Sequence, residues 1–200
     1  MCGTDRKGGI DVGIVLAGGR SSRMGRDKAG IVLGGRTFME RAIDALRPLC
    51  AEVWVVGRDG GKGEVRFLRD ELPGLGPIGG LYTGLRALGD GRAIFAACDM
   101  PFLEPEVLKQ LLGYHAEAVV FRLGGRVQPL PGVYNARLVE RILGQVEAGE
   151  RSLMALLRAS FTAYVELSPS EARVLLDVDT PDDLGRAEGL PREEAWTSAG

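Results

Sequence analysis

The sequence predicts an α/β domain of three αβα layers built on a mainly parallel central sheet. Three observations lead there. Short apolar runs alternate with stretches of helical periodicity along the 200 residues. The first run ends in two glycines and a set of cations, "VLAGGRSSRMGRDKAG" at residues 15–30. Later runs end in acids, as in "FAACDMPFL" and "LLDVDTPDDL". In open α/β sheets the ligand-binding loops gather at the carboxyl ends of the strands, where these glycines and acids fall.

The first strand is read over 10–18, "IDVGIVLAG". A helix is expected over 37–49, where Phe38, Met39, Ala42, Ile43 and Leu46 form one stripe. Thr37 and Glu40 have capping-box spacing, which satisfies orphan donors at the helix start, and Pro48 ends it. Residues 52–57, "EVWVVG", read as a strand buried on both faces, and residues 65–70, "VRFLRD", as a third strand. A loop leads into a helix over 76–88 that carries Leu81, Leu85 and Leu88. Residues 92–103 are a strand running into an acidic turn, 104–115 a helix with Pro105 in its first turn, and 117–123 another strand. Gly124 to Gly132 reads as a turn-rich connection. Residues 136–149 and 152–159 are expected to be helical, and 161–167 and 172–178 to be strands. Thr180 and Pro181 start a final helix. The domain so defined spans 10–188, between a flexible polar N-terminus (1–9) and a loose tail (189–200).

Composition narrows the function. A formal net charge of −2 without long basic runs argues against nucleic-acid binding, which needs a basic face. Cys2, Cys50 and Cys98 are odd in number and far apart, so they suggest neither a disulfide framework nor a zinc site. His115 is the only histidine, which excludes His-rich metal sites. No apolar run approaches the roughly 20 residues of a membrane span, and the polar start lacks a signal-peptide core. A cytoplasmic protein is expected.

Within residues 15–30, Arg20, Arg23, Arg26 and Lys28 follow the glycines within a few positions. Glycines let backbone N–H groups approach a ligand and form an anion-binding nest. Arginine offers a fork of donors to phosphate oxygens, and lysine a compact charge. A polyphosphate fits this pattern; a plain turn with solvated arginines is the alternative. The spacing is not that of a P-loop, since five residues separate Gly19 from Gly25 and Arg26 follows. A literal G-x-G-x-x-G at Gly74, Gly76 and Gly79 encloses Pro77 and follows no buried strand, so it reads as a turn.

Asp99 follows an apolar strand at the same predicted edge. Mg²⁺ commonly bridges one or two carboxylates to substrate phosphates, which makes Asp99 a candidate ligand; a turn-capping Asp is the other reading. Asp177 and Asp179 are two apart, so in extended chain they share a face, and either could join Asp99 or simply orient the turn before Thr180. Asp70, at another strand end, could hold a ribose or substrate hydroxyl, or only bound the turn.

With these pieces in place, "LAGGRSSRMGRDKA" resembles the L-A-G-G-x-S-x-R-M-G-x-D-K signature of the MobA-like nucleotidyltransferases. The resemblance extends from residue 12 to about 188, with "RDELPGLGPIGGLYTGLRAL", "CDMPFL", "QPLPGVY" and "DVDTPDDL" in the family's order. It implies a Rossmann-like fold and Mg²⁺-dependent transfer of GMP from GTP to the phosphate of the molybdopterin cofactor, with loss of pyrophosphate. By motif position it places Leu16, Ala17, Gly18, Gly19, Arg20, Arg23, Lys28, Asp70 and Asp99 at the nucleotide. Arg20, Lys28 and Asp99 would be catalytic, and Asp99 and Asp179 would ligate the metal. Arg126 and Gln128, in "RVQPLPGVY", would face the pterin. Partners implied are GTP, molybdopterin, and proteins that make or accept the cofactor. Alternatives sharing these motifs are a cytidylyltransferase acting on the same pterin, a sugar-phosphate nucleotidyltransferase, and a nucleotide-binding regulator without catalysis.

Overall fold

The computed structural model describes residues 10–18, 28–60, 65–178 and 183, with only the backbone of Lys28. In chain order its elements are β1 (Ile10–Leu16), a small hairpin of β2 (Val32–Leu33) and β3 (Arg36–Thr37), α1 (Phe38–Leu46), β4 (Cys50–Val56), β5 (Arg66–Leu68), α2 (Pro77–Leu88), β6 (Arg92–Ala97), α3 (Pro105–Leu108), β7 (Ala118–Leu123), β8 (Arg126–Asn135), α4 (Val139–Glu147), α5 (Leu153–Arg158) and β9 (Thr162–Glu166). The main sheet has the order β5-β4-β1-β6-β8-β7-β9. Its β5, β4, β1 and β6 are mutually parallel, β8 is antiparallel to both β6 and β7, and β9 is parallel to β7.

The central strands are buried on both faces, and alternate residues feed two cores. Val15, Val53, Val55, Ile94 and Ala96 pack with Ala42, Ile43 and Leu46 of α1 and with Val107 and Leu108 of α3. Ile14, Leu16, Trp54, Val56 and Phe95 pack with Ile78, Leu81 and Leu85 of α2, Ile142 of α4 and Leu156 of α5. That is the three-layer αβα arrangement expected from the alternation of runs. From β1, the path through α1 leads to β4 on one side, while the later path through α2 returns to β6 on the other. The reversal makes the carboxyl end of β1 a topological switch point, where such sheets open a ligand crevice.

Helix starts follow their local chemistry. Thr37 Oγ1 accepts from the Glu40 N–H at 3.2 Å, and the Glu40 carboxylate accepts from the Thr37 N–H at 2.8 Å, which is the capping box read from the sequence. The Thr37 N–H and hydroxyl, which both donate to the Glu40 carboxylate, and Arg36 nearby hold that carboxyl below its usual range. Pro77 and Pro105 occupy first-turn positions, where a missing N–H costs nothing. The helix expected over 104–115 is α3 continued by a 3-10 turn, Lys109–Gly113. Among the described residues no helix is long and apolar enough to cross a membrane.

Two expectations are overturned. The supposed connection between Gly124 and Gly132 is mostly strand β8, turning only at Gly124 and Gly125. Prolines suggest a loop because they cannot donate to a ladder. Here they are set aside in a bulge: the pairing passes from Phe121↔Gln128 to Val120↔Gly132, leaving Pro129, Leu130 and Pro131 outside the register. The hydroxyl of the buried Tyr134 donates to Pro129 O at 2.5 Å and ties the bulge down. The expected strand over 172–178 is also not formed, because Pro169–Leu175 is a 3-10 helix. Its start is set by Glu171, whose carboxylate accepts from the Ser168 N–H at 3.0 Å and hydroxyl at 2.5 Å. The final helix expected from Thr180 lies outside the described residues, apart from Asp183.

Candidate active site at the carboxyl edge of the sheet

The ladder between β4, β1 and β6 runs one residue past each strand. The Ala17 N–H donates to Val56 O at 2.9 Å, and the Cys98 N–H donates to Leu16 O at 3.0 Å. On the other side, the Gly57 N–H donates to Leu68 O at 2.9 Å. Four strand ends are thereby held level, and Leu16, Ala17 and Gly18 emerge at their centre.

Gly18 and Gly57 touch backbone to backbone. A Cβ on Gly18 would lie 3.1 Å from Gly57 Cα, and one on Gly57 would lie 2.4 Å from Gly18 Cα and 2.5 Å from its nitrogen. Gly57 also has φ +94°, a region that favours glycine. The two glycines fix where the chain leaves β1. The sequence signal for Gly57 is the glycine directly after the buried run in "WVVG". Arg58 and Arg69 follow β4 and β5 at this edge.

Asp70 lies two residues past β5 and is half-buried. Its Oδ1 accepts from the Leu72 N–H at 3.0 Å and lies 3.1 Å from Thr83 Oγ1 of α2. Gly74 and Gly76 of the G-x-G-x-x-G stretch have φ +83° and +72° in the loop that follows, and Gly76 is the N-cap of α2. The first two glycines of that motif lie in the turn, whereas Gly79 already lies in the first turn of α2.

Asp99 follows β6 between two buried residues, Cys98 and Met100. Its carbonyl accepts from the Val178 N–H at 2.9 Å. Val178 is itself buried against Leu33 and Phe38, so the chain near residue 177 is anchored across the end of β6. Asp177 is exposed beside that anchor. This backbone bond, invisible in the sequence, brings Asp177 and Val178 to Asp99.

The tip of the β7–β8 hairpin rises at the same edge, because β8 runs antiparallel to β6 and its first residues lie beyond the β6 carboxyl end. Arg126 is exposed there and Gln128 half-buried. The structure therefore gathers Leu16, Ala17, Gly18, Asp70, Asp99, Arg126 and Gln128 along one edge. Gly19, Arg20, Arg23 and Asp179 lie outside the described residues, as does the side chain of Lys28. The backbone of Lys28 begins a 3-10 turn whose next residue, Ala29, is buried in the same apolar cluster as Cys98 and Met100.

The donor chemistry here fits a hard divalent cation. Asp99 and Asp177 stand on two segments joined by the bond between Asp99 and Val178, and both offer carboxylate oxygen. No cluster of three His, Cys, Asp or Glu able to hold a metal occurs among the described residues. Mg²⁺ does not require one, since it keeps waters and shares substrate phosphates with one or two carboxylates.

Residues 13–167 match the MobA-like NTP transferase domain. A protein of Mycobacterium avium named probable molybdenum cofactor guanylyltransferase is 38% identical over 183 residues, covering 86% of this chain and 92% of that one. A Chloroflexus aggregans protein of the same name is 36% identical over 190 residues, covering 86% and 90%. The crystal structure of molybdopterin-guanine dinucleotide biosynthesis protein A from Archaeoglobus fulgidus superposes with a TM-score of 0.77 at 27% identity, covering 88% of this chain and 96% of that one. With 2-C-methyl-D-erythritol 4-phosphate cytidylyltransferase from Thermus thermophilus the chain shares the fold, at a TM-score of 0.68 and 21% identity over 90% of this chain and 98% of that one.

Proposed function

The chain belongs to the MobA-like NTP transferase family, and from that premise we propose that it transfers GMP from GTP to the phosphate of molybdopterin, releasing pyrophosphate and forming molybdopterin guanine dinucleotide. The observation that carries this reading is the convergence on one sheet edge of the β1 exit at Gly18, Asp70, the joined Asp99 and Val178, and the β7–β8 tip. A dinucleotide product needs two binding halves that meet at one phosphorus, and this edge offers two flanks around Asp99.

In this reading Leu16, Ala17 and Gly18 seat the nucleotide, with Gly19 and Arg20 beside them and Asp70 at the nucleoside. Arg126 and Gln128 face the pterin. An oxygen of the pterin phosphate attacks the α-phosphorus of GTP; the new P–O bond forms as the bond to the β-phosphate bridging oxygen breaks, and that oxygen leaves with pyrophosphate. The attacking phosphate is already ionised, so the protein supplies no base. Its work is positioning and charge stabilisation. Arg20, Arg23 and Lys28 neutralise the charge that builds on pyrophosphate. Asp99, with Asp179 or Asp177, would hold Mg²⁺, which when bound neutralises charge on the nucleotide phosphates. The reaction is assigned to the cytoplasm.

The test is pyrophosphate release with molybdopterin as acceptor, comparing GTP with CTP in the presence of Mg²⁺. Turnover with GTP at least tenfold above CTP is expected. Preference for CTP would move the chain to a cytidylyl activity, and nucleotide binding without pyrophosphate release would make it a regulator.

A further inference from the structure

Thr83 is a buried polar side chain, only 2% exposed. It sits in the middle of α2, where its neighbours Leu81, Tyr82, Gly84 and Leu85 are all buried. A threonine there lowers helix propensity and needs hydrogen-bond partners. Its hydroxyl oxygen has three. It accepts from the Glu71 N–H at 3.0 Å, and its proton has two acceptors within reach, Gly79 O at 2.9 Å and Asp70 Oδ1 at 3.1 Å. The bond to Gly79 is the local one that helical threonines make. The other two reach 12 and 13 residues back along the chain, to the loop at the end of β5.

These bonds set the Asp70 carboxylate. Oδ1 is held by Thr83 and by the Leu72 N–H, and the adjacent Glu71 amide is pinned by the same hydroxyl. Thr83 stands one layer beneath the site and does not itself line it. We infer that Thr83 is a positioning residue of the nucleotide site: it fixes Asp70 through Oδ1 so that Oδ2 is presented to a hydroxyl or N–H donor of the bound nucleoside. This rests on the reading of Asp70 as a nucleoside contact.

The experiment measures kcat and the GTP KM of wild type, Thr83→Val, Thr83→Ala, Thr83→Ser and Asp70→Asn, together with amide exchange of Glu71 in the nucleotide-free protein. Valine keeps the volume and removes the hydroxyl; alanine repeats the removal should valine disturb folding; serine retains the hydroxyl. Removal is expected to raise the GTP KM by about tenfold with kcat within about twofold, as loss of uniform binding would. It should also speed exchange at Glu71, and Thr83→Ser should restore KM to within about threefold. In a background of Asp70→Asn, Thr83→Val should add almost nothing, because both act through one carboxylate. If Asp70→Asn raises KM while the valine and alanine variants leave it unchanged, the inference is overturned and the placement of Asp70 stands. If Asp70→Asn leaves KM unchanged, the placement of Asp70 fails, and with it the inference.

Discussion

Replacing Gly57 by alanine puts a methyl group where the backbone of Gly18 now runs. The added Cβ would sit 2.4 Å from Gly18 Cα, and ordinary contact begins near 3.4 Å, so the ends of β1 and β4 must separate by about 1 Å. The residue is also at φ +94°, which costs an L side chain roughly 1–2 kcal/mol. The forced separation adds a further cost of about 1–3 kcal/mol. Gly89 provides the control: it has φ +78° with nothing within 4 Å of a Cβ, so Gly89→Ala carries the backbone cost alone. Chemical denaturation should therefore show Gly57→Ala less stable than Gly89→Ala by about 1–3 kcal/mol. For a chain of this size that difference lowers the melting temperature by roughly 2–12 °C. Activity should separate the two more sharply. A 1 Å misplacement of a positioned group can cost about 10²-fold in rate, so Gly57→Ala should lose that much kcat/KM for GTP, and Gly89→Ala almost none. Equal stability and equal activity for the two variants would refute the idea that the Gly18–Gly57 contact sets the exit of the chain from β1.

Removing charge at the site should act on turnover more than on stability. Asp99→Ala and Lys28→Ala are each expected to lower guanylyl transfer by about 10²–10³-fold, checked by pyrophosphate release at saturating GTP. Far from the site, Glu117 accepts from Arg141 at 2.8 Å and from the Phe161 N–H at 2.8 Å, and these bonds hold its carboxyl below the ordinary 4.5. Because the folded value is the lower one, this stabilisation is present above about pH 4.5 and fades as pH falls through the folded value. Glu117→Gln should cost about 1 kcal/mol at pH 7, measured by denaturation, and the gap from wild type should close in acid.

The part of the fold that could be read from the sequence is the part whose signals are local. The strands around Val15, Val55 and Phe95 are continuous apolar runs, and the start of α1 is written in Thr37 and Glu40. The failures share a cause. In β8 the glycines and prolines are turn formers taken one by one, and only the pairing with β7 shows that three residues can leave the register while the strand continues. Residues 172–175 have the composition of a strand, but Ser168 and Glu171 start a 3-10 helix just upstream. The candidate site divides in the same way. The glycines and acids at strand ends were visible as residue types, whereas Gly57 opposite Gly18 and Val178 on Asp99 depend on strand neighbours that only the folded sheet supplies.

Those hidden contacts tie the described loops of the candidate site to buried elements. Loops are held weakly unless their backbone groups are tied to something with its own core. Here each tie leads to a buried element. Gly80 and Gly84 let α2 settle against β1 and β6, since a Cβ on them would lie 2.9 Å from Leu16 Cδ2 and 2.8 Å from a Phe95 ring carbon. The helix so seated carries Thr83, which holds the loop of Asp70, and it braces Leu16, from which the glycine exit begins. On the opposite face Ala29, Cys98 and Met100 share one apolar cluster, which roots both the start of the Lys28 turn and the flanks of Asp99. The two cores therefore meet at the site from opposite sides of the sheet. A substitution that loosens α2 should act first through Asp70 and Gly18, and one that loosens the α1 and α3 side first through Asp99.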